Sequence, residues 1–129
     1  MKKLTFLFIM LIAAWACSQS KEISTVQGKS PTLAMDSTEY MISIDDQGFE
    51  QWYLMNYSPA ADRSNAYYRS QNRLGVSNWN QYFIRNKHSR VVGSDINYNP
   101  AEDYGIEVER RLYWYFKYIE ENYQVRLFR

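Results

Sequence analysis

The chain has one cysteine, Cys17, and one histidine, His88, in 129 residues. Without a second thiol there is no internal disulfide, so stability has to come from a packed core. Without a cluster of Cys and His there is no zinc or iron site of the usual composition. The sequence holds no Gly-rich phosphate-binding loop, no Gly-x-Ser-x-Gly, no EF-hand spacing after Asp45 and Asp46, and no internal repeat. No apolar run reaches the roughly 20 residues that cross a bilayer core. Excess charge is missing too: 15 basic residues stand against 14 acidic ones. That balance gives no global attraction to nucleic acid.

These absences leave little for catalysis. His88 sits between Lys87 and Ser89 in a polar stretch, where a lone histidine reads as a surface residue. A Ser-His-Asp set can assemble from distant positions, but nothing in the sequence points to one. Asp45 and Asp46 suit helix capping better than a calcium ion. Glu102, Asp103, Glu107 and Glu109 could be drawn into a pair of glycoside-cleaving acids, yet a helix start and a solvated helix face explain them more simply. No catalytic residue, metal or cofactor is expected.

What is present begins at the N-terminus. Lys2 and Lys3 precede residues 4–16, which are apolar apart from Thr5. The length and flanks match a signal peptide. Ala14-Trp15-Ala16 fits secretory cleavage before Cys17, and with Cys17 it is similar to a bacterial lipobox, although Ala14 stands where leucine is usual. An ordinary secreted protein would then carry an odd thiol at its first residue. Acylation of Cys17 gives that thiol a purpose, and several fatty acyl chains hold a protein durably at a bilayer. Ser18, rather than an acid, favours the outer membrane. The expected organisation is a signal peptide at 1–16, a lipidated Cys17 with a flexible tether over 17–38, and a compact domain over 39–129. Loss of Lys2 and Lys3 leaves 13 basic against 14 acidic residues.

The domain reads as α+β and mostly helical, with short N-terminal strands packed on three to four helices, the last one long. Residues 39–45 alternate, with Tyr40, Ile42 and Ile44 on one side. Asp45 or Asp46 can cap a short helix whose Phe49, Trp52, Tyr53 and Asn56 share a face. Ser58-Pro59 predicts the start of a helix over 60–74, which Gly75 ends or bends before another over 77–86. Short strands are possible at Val91-Val92 and at 96–98. Asn99-Pro100-Ala101-Glu102 predicts the start of a helix to Tyr123, with Tyr104, Val108, Leu112, Tyr115, Ile119 and Tyr123 as its core stripe.

Trp114 and Tyr118 fall in the polar face of that helix, among Glu107, Arg110, Arg111, Lys117 and Glu121. They are either binding anchors, since Trp, Tyr and Arg are enriched at hot spots, or covered by the chain itself. Six bases and no acid occupy residues 63–94, following a segment over 22–62 with seven acids and Lys29 alone. Arg69 and Arg73 could present a basic face to an anionic envelope polymer or lipid, or the two segments could pack together and cancel. The candidate binding residues are therefore Trp114, Tyr118, Arg111, Arg69 and Arg73, with Cys17 as the lipidation site.

Three segments are familiar in combination: YMISIDDQGFEQW, NAYYRSQNRLGVSNWNQ and INYNPAEDYGIEVERRLYWYFKYIEENY. The order Asp-x-x-Gly-Phe-x-x-Trp, Tyr-Tyr, Trp-Asn, Ile-Asn-Tyr-x-Pro-x-x-Asp-Tyr-Gly-x-Glu-Val resembles a family of small uncharacterised bacterial lipoproteins. The resemblance implies an envelope location and a compact helical domain with a short sheet, and transfers no functional residue. The function expected is a lipid-anchored envelope protein of unknown activity, acting as a non-catalytic binding module. The alternative is a lipid-anchored enzyme or carbohydrate-binding module. The expected partners are the membrane and an envelope protein or polysaccharide, with no nucleic acid.

Overall fold

A computed structural model of the protein describes residues 30–36 and 39–129. The leader, Cys17 and most of the tether lie outside the described residues. The fold comprises strand β1 (Thr32–Asp36), strand β2 (Glu39–Ser43), helix α1 (Gln47–Asn56), a short 3₁₀ turn (Pro59–Ala61), helix α2 (Asn65–Ile84) and helix α3 (Ile106–Tyr123). This is an α+β arrangement with a small antiparallel sheet and a long last helix. β1 pairs with β2 in the register Thr32↔Ser43 to Asp36↔Glu39. The described fold thus begins at Ser30, within the stretch read from composition as tether.

Alternation in β2 does what its pattern requires. Ile42 and Ile44 pack on the core while Met41 and Ser43 are exposed. Asp46 caps α1 by accepting from the Phe49 amide at 3.1 Å, which satisfies one of the helix's unpaired donors. Phe49 is then fully buried, and its ring meets Tyr115 and Tyr118 of α3 at 5.4 and 5.7 Å.

α3 is the central element, with α1 and β2 against one part of its circumference and α2 against another. Its stripe is buried at Val108, Leu112, Tyr115 and Ile119, as is Tyr104 ahead of it; Tyr123, expected in the same stripe, is 45% exposed. The C-terminal segment folds back alongside. Val125 and Leu127 are buried, the Tyr82 hydroxyl donates to Arg126 O at 2.6 Å, and Asn78 Nδ2 donates to Leu127 O at 2.6 Å.

Four local expectations are corrected. Ser58-Pro59 starts only the 3₁₀ turn, and Ser58 makes no side-chain cap bond; the cap of α2 is Ser64, which accepts from Tyr67 N at 3.1 Å. The chain stays extended at Asp62 because that carboxylate is taken by other partners. Gly75 neither ends nor bends a helix apart: α2 runs through it. A Cβ there would lie 2.6 Å from the Phe116 ring, so the glycine lets α2 and α3 approach closely.

The strands expected at Val91-Val92 and 96–98 do not form. Val91 N and Val92 N donate to His88 O in a turn instead, and the α2 side chains hold the chain that follows: Trp79 Nε1 donates to Ser94 O at 2.8 Å, and the Asn80 amide both donates to Ile96 O and accepts from Ile96 N. Side-chain amides with that geometry substitute for a ladder partner. Asn99 caps a turn rather than α3, accepting from Ala101 N through Oδ1. Gly105, at φ 86°, separates that turn from α3, a conformation that a residue with a Cβ resists.

Candidate functional site

The structure disperses the residues chosen from the sequence. Tyr118 is 6% exposed beneath α1, in contact with the Phe49 and Trp52 rings. Trp114 is half-buried among Trp52, Tyr53, Tyr57 and Tyr113. Their cover is α1, so the aromatic pair belongs to the helix–helix interface. Arg111 is bonded to Glu50 and lies over the Phe49 and Tyr53 rings at 5.3 and 5.8 Å. Arg69 donates to Pro100 O and Glu102 O and so holds the turn before α3. Arg73 is exposed on α2 with no ion pair among the described residues. These five make no common surface.

Two polar clusters are internal fasteners. Arg110 grips Asp62 with two parallel bonds, Nε to Oδ1 at 2.9 Å and Nη2 to Oδ2 at 2.8 Å, and the Tyr68 hydroxyl donates to Oδ1 at 2.6 Å. Hydrogen bonds from Arg110 first, then Tyr68, hold the Asp62 carboxyl down at about 2. Glu109, expected on a solvated face, is fully buried between α2 and α3. Asn72 Nδ2 and the Tyr98 hydroxyl donate to it at 2.8 and 3.1 Å. Burial raises its carboxyl above the ordinary value, with those donors opposing. Asn72 Oδ1 has no partner there.

One concavity joins an apolar wall to several polar groups. A cleft of about 650 Å³ opens between the α1 cap, the loop after α2 and the C-terminal half of α3, within the range typical of small-molecule pockets. Its wall is apolar where Val91, Ile119 and Val125 meet it, and its polar groups are Asp46, His88, Ser89, Arg90 and Tyr123. The loop gets its shape from the end of α2. Asn86 takes a left-handed conformation at φ 53°, Lys87 N donates to Tyr82 O, and Asn86 N donates to Phe83 O, the bonding of a Schellman motif. His88, also at positive φ, then turns the chain so that residues 88–91 face α3. The His88 ring packs edge-on to Tyr82 at 4.9 Å.

Tyr115 is the informative residue in the cleft. It is 1% exposed and lines the cleft; among the described residues, the buried side-chain polar atoms without a partner lie elsewhere, at Asn65, Asn72 and Trp114. Burial first, then the Asp46 carboxylate and Tyr123, hold that phenol neutral far above its ordinary range. Asp46 Oδ1 already serves the α1 cap. Among the described residues no hydrogen bond joins His88 to Asp46 or to Ser89, so the three line one cleft without forming a relay. No group of three His, Cys, Asp or Glu is placed to hold a metal among the described residues, and none of the described helices is long and apolar enough to cross a membrane.

Sequence reasoning passed over this cleft because its parts are spread from Asp46 to Val125, and no spacing rule links them. The signal that could have found it is the pair of polar residues, His88 and Asn86, at turns following a capped helix. Compared with known proteins, residues 4–129 match the model of a family described as a family of unknown function (DUF6146). No curated protein and no solved structure matches the chain.

Proposed function

The chain belongs to the family of unknown function DUF6146, and from that premise we propose that it is a lipid-anchored binding module of the bacterial cell envelope, holding a small amphipathic ligand in the cleft over Tyr115. The observation that carries the binding role is the roomy cleft itself, in which Tyr115 lies between an aliphatic wall and the polar groups of Asp46, His88, Ser89 and Arg90. The aliphatic wall of Val91, Ile119 and Val125 favours a ligand with a hydrocarbon body. Arg90, His88 and Ser89 at the mouth favour a polar or anionic end. A glycan is disfavoured, since sugars dock on broad exposed aromatic faces and here Trp52 and Trp114 are half-buried, packed on each other and against the core. The address rests on the leader and on the lone thiol of Cys17 beside Ala14-Trp15-Ala16. It places the protein in the outer membrane, with acyl chains as the anchor.

A catalytic reading is invited by Asp46, His88 and Ser89 lining one cleft. It is weakened by the missing hydrogen bonds and by the prior engagement of Asp46 in the α1 cap. The test is native mass spectrometry of the protein extracted from its own host's membranes. Acyl groups on Cys17 are expected, together with a second, non-covalent adduct. In Val91→Trp, which fills the cleft from a half-exposed loop position, the acyl groups remain and the adduct disappears while thermal stability is retained. An adduct that survives Val91→Trp, or a wild-type protein that never carries one, removes the binding role. An unmodified Cys17 removes the address.

A further inference from the structure

The end of α2 combines two features that the core does not use. Phe83 and Ile84 are 41% and 76% exposed in the last turn of the helix. Arg85, Lys87 and Arg90 follow within six residues, all exposed, and none is in an ion pair among the described residues. The Schellman bonds at 82–87 fix the backbone of this tip, so the apolar and basic side chains project from a rigid end rather than a loose loop. Lys87 is steadied over the Tyr82 ring at 5.6 Å.

The N-terminal end of the described fold lies beside this loop. Ser30 Oγ donates to Ser94 O at 2.6 Å and accepts from Ser94 N at 3.1 Å. The chain leading back to Cys17 therefore leaves the domain at the loop that carries the tip. Residues 18–29 separate the two points and can span at most about 45 Å even when fully extended.

We propose that this tip, residues 83–87, docks on an anionic lipid bilayer. Phe83 and Ile84 enter the boundary between headgroups and acyl chains, while Arg85 and Lys87 meet lipid phosphates. Apolar side chains beside unpaired bases are the composition that interfacial binding needs. Arg85 and Lys87, exposed and outside any ion pair among the described residues, are complementary to an anionic leaflet. The orientation rests on the acylation of Cys17 proposed above; the attraction of the tip does not.

The core and the hydrogen bonds described lie within residues 30–129, so a chain of residues 17–129 with Cys17→Ser keeps the fold and carries no lipid. Co-sedimentation with vesicles of phosphatidylethanolamine and phosphatidylglycerol, in about a three-to-one ratio, reads the tip alone. We expect binding to these vesicles and not to pure phosphatidylcholine, with release as salt rises from about 0.05 to 0.5 M. Arg85→Glu with Lys87→Glu should weaken partitioning about 10-fold or more, and Ile84→Asp should do the same at unchanged thermal stability. Arg85, Lys87 and Ile84 lie outside the cleft lining, so these variants leave the cleft adduct in place, and loss of one activity does not entail loss of the other. Equal binding to neutral vesicles, no binding at all, or indifference to these substitutions overturns the proposal. A dimer seen by sedimentation equilibrium and abolished by Ile84→Asp also overturns it, assigning the tip to a second copy of the chain.

Discussion

Replacing Gly75 with alanine distinguishes by sign a flexible break in α2 from a point of close helix approach. In an exposed helix interior the change stabilises by about 1 kcal/mol, because alanine loses less backbone freedom on folding. At Gly75 the added Cβ would stand 2.6 and 2.7 Å from two Phe116 ring carbons and 3.2 Å from Phe128. Ordinary contact requires the Phe116 ring to retreat by about 1 Å. It has nowhere to go: Phe116 is fully buried, with the rings of Trp79 and Phe128 each at 6.0 Å and Tyr115 at 6.3 Å. Overpacking costs about 1–3 kcal/mol, and this enclosed ring belongs at the upper end. Subtracting the helical gain leaves a net loss of about 2 kcal/mol. For a domain of this size that lowers Tm by about 10 °C.

Urea unfolding with an unchanged slope, alongside thermal unfolding, measures it. Ser77→Ala, exposed on the same helix, should change stability by less than about 0.5 kcal/mol. Combining Gly75→Ala with Phe116→Leu should cost less than the two single changes together, since the smaller side chain admits the methyl. A Gly75→Ala protein as stable as the parent, or more so, refutes the close packing of α2 on α3.

Two further outcomes concern buried and paired carboxyls. Glu109 titrates above its ordinary 4.5 because of burial, so its contribution to stability is present below about 4.5 and is lost as pH rises through the raised value. Glu109→Gln removes that loss and can donate to Asn72 Oδ1. Its stability relative to wild type, followed by denaturant midpoints, should therefore climb from pH 4 to pH 8; a difference independent of pH contradicts the burial. Asp62 behaves oppositely. Its folded value is lowered from 3.8 to about 2 by Arg110 and Tyr68, so its contribution is present above 3.8 and lost as pH falls through about 2. Asp62→Asn should be less stable than wild type at pH 7, with the gap closing between pH 4 and pH 2. A gap that stays constant on acidification sinks the ion-pair account.

The places where sequence pattern led astray share a cause. Ser58-Pro59 and Asn99-Pro100 both carry good helix-start chemistry, and both form turns. At the first, Asp62 is drawn to Arg110 on α3, 48 positions away. At the second, the Tyr104 hydroxyl accepts from Asn99 N and Arg69 holds Pro100 O. The strand at 91–92 failed because both amides close a turn onto His88 O, and the one at 96–98 because Asn80 takes both backbone groups of Ile96. β1 was missed because residues 32–36 show no alternation strong enough to stand alone, and their order comes from pairing with β2. Local propensities of a few tenths of a kcal/mol to about 1 kcal/mol yield to such long-range bonds, which are formed only once the chain is assembled. Trp114 and Tyr118 illustrate the same limit in a candidate site. A wheel places them correctly on the polar side of α3 but cannot know that α1 lies over it.

The sequence alone determined the class of the fold, the alternation of β2, the Asp46-capped aromatic face of α1 and the buried stripe of α3, because each depends on periodicities of 2 or 3.6 residues within one element. Tertiary structure alone decided that Gly75 is a contact point and Glu109 an interior residue. It also decided that Asp46, Tyr115 and the loop at His88 enclose one cleft. Those properties belong to pairs of elements, and the free energy that selects them is gained only when distant surfaces exclude water together.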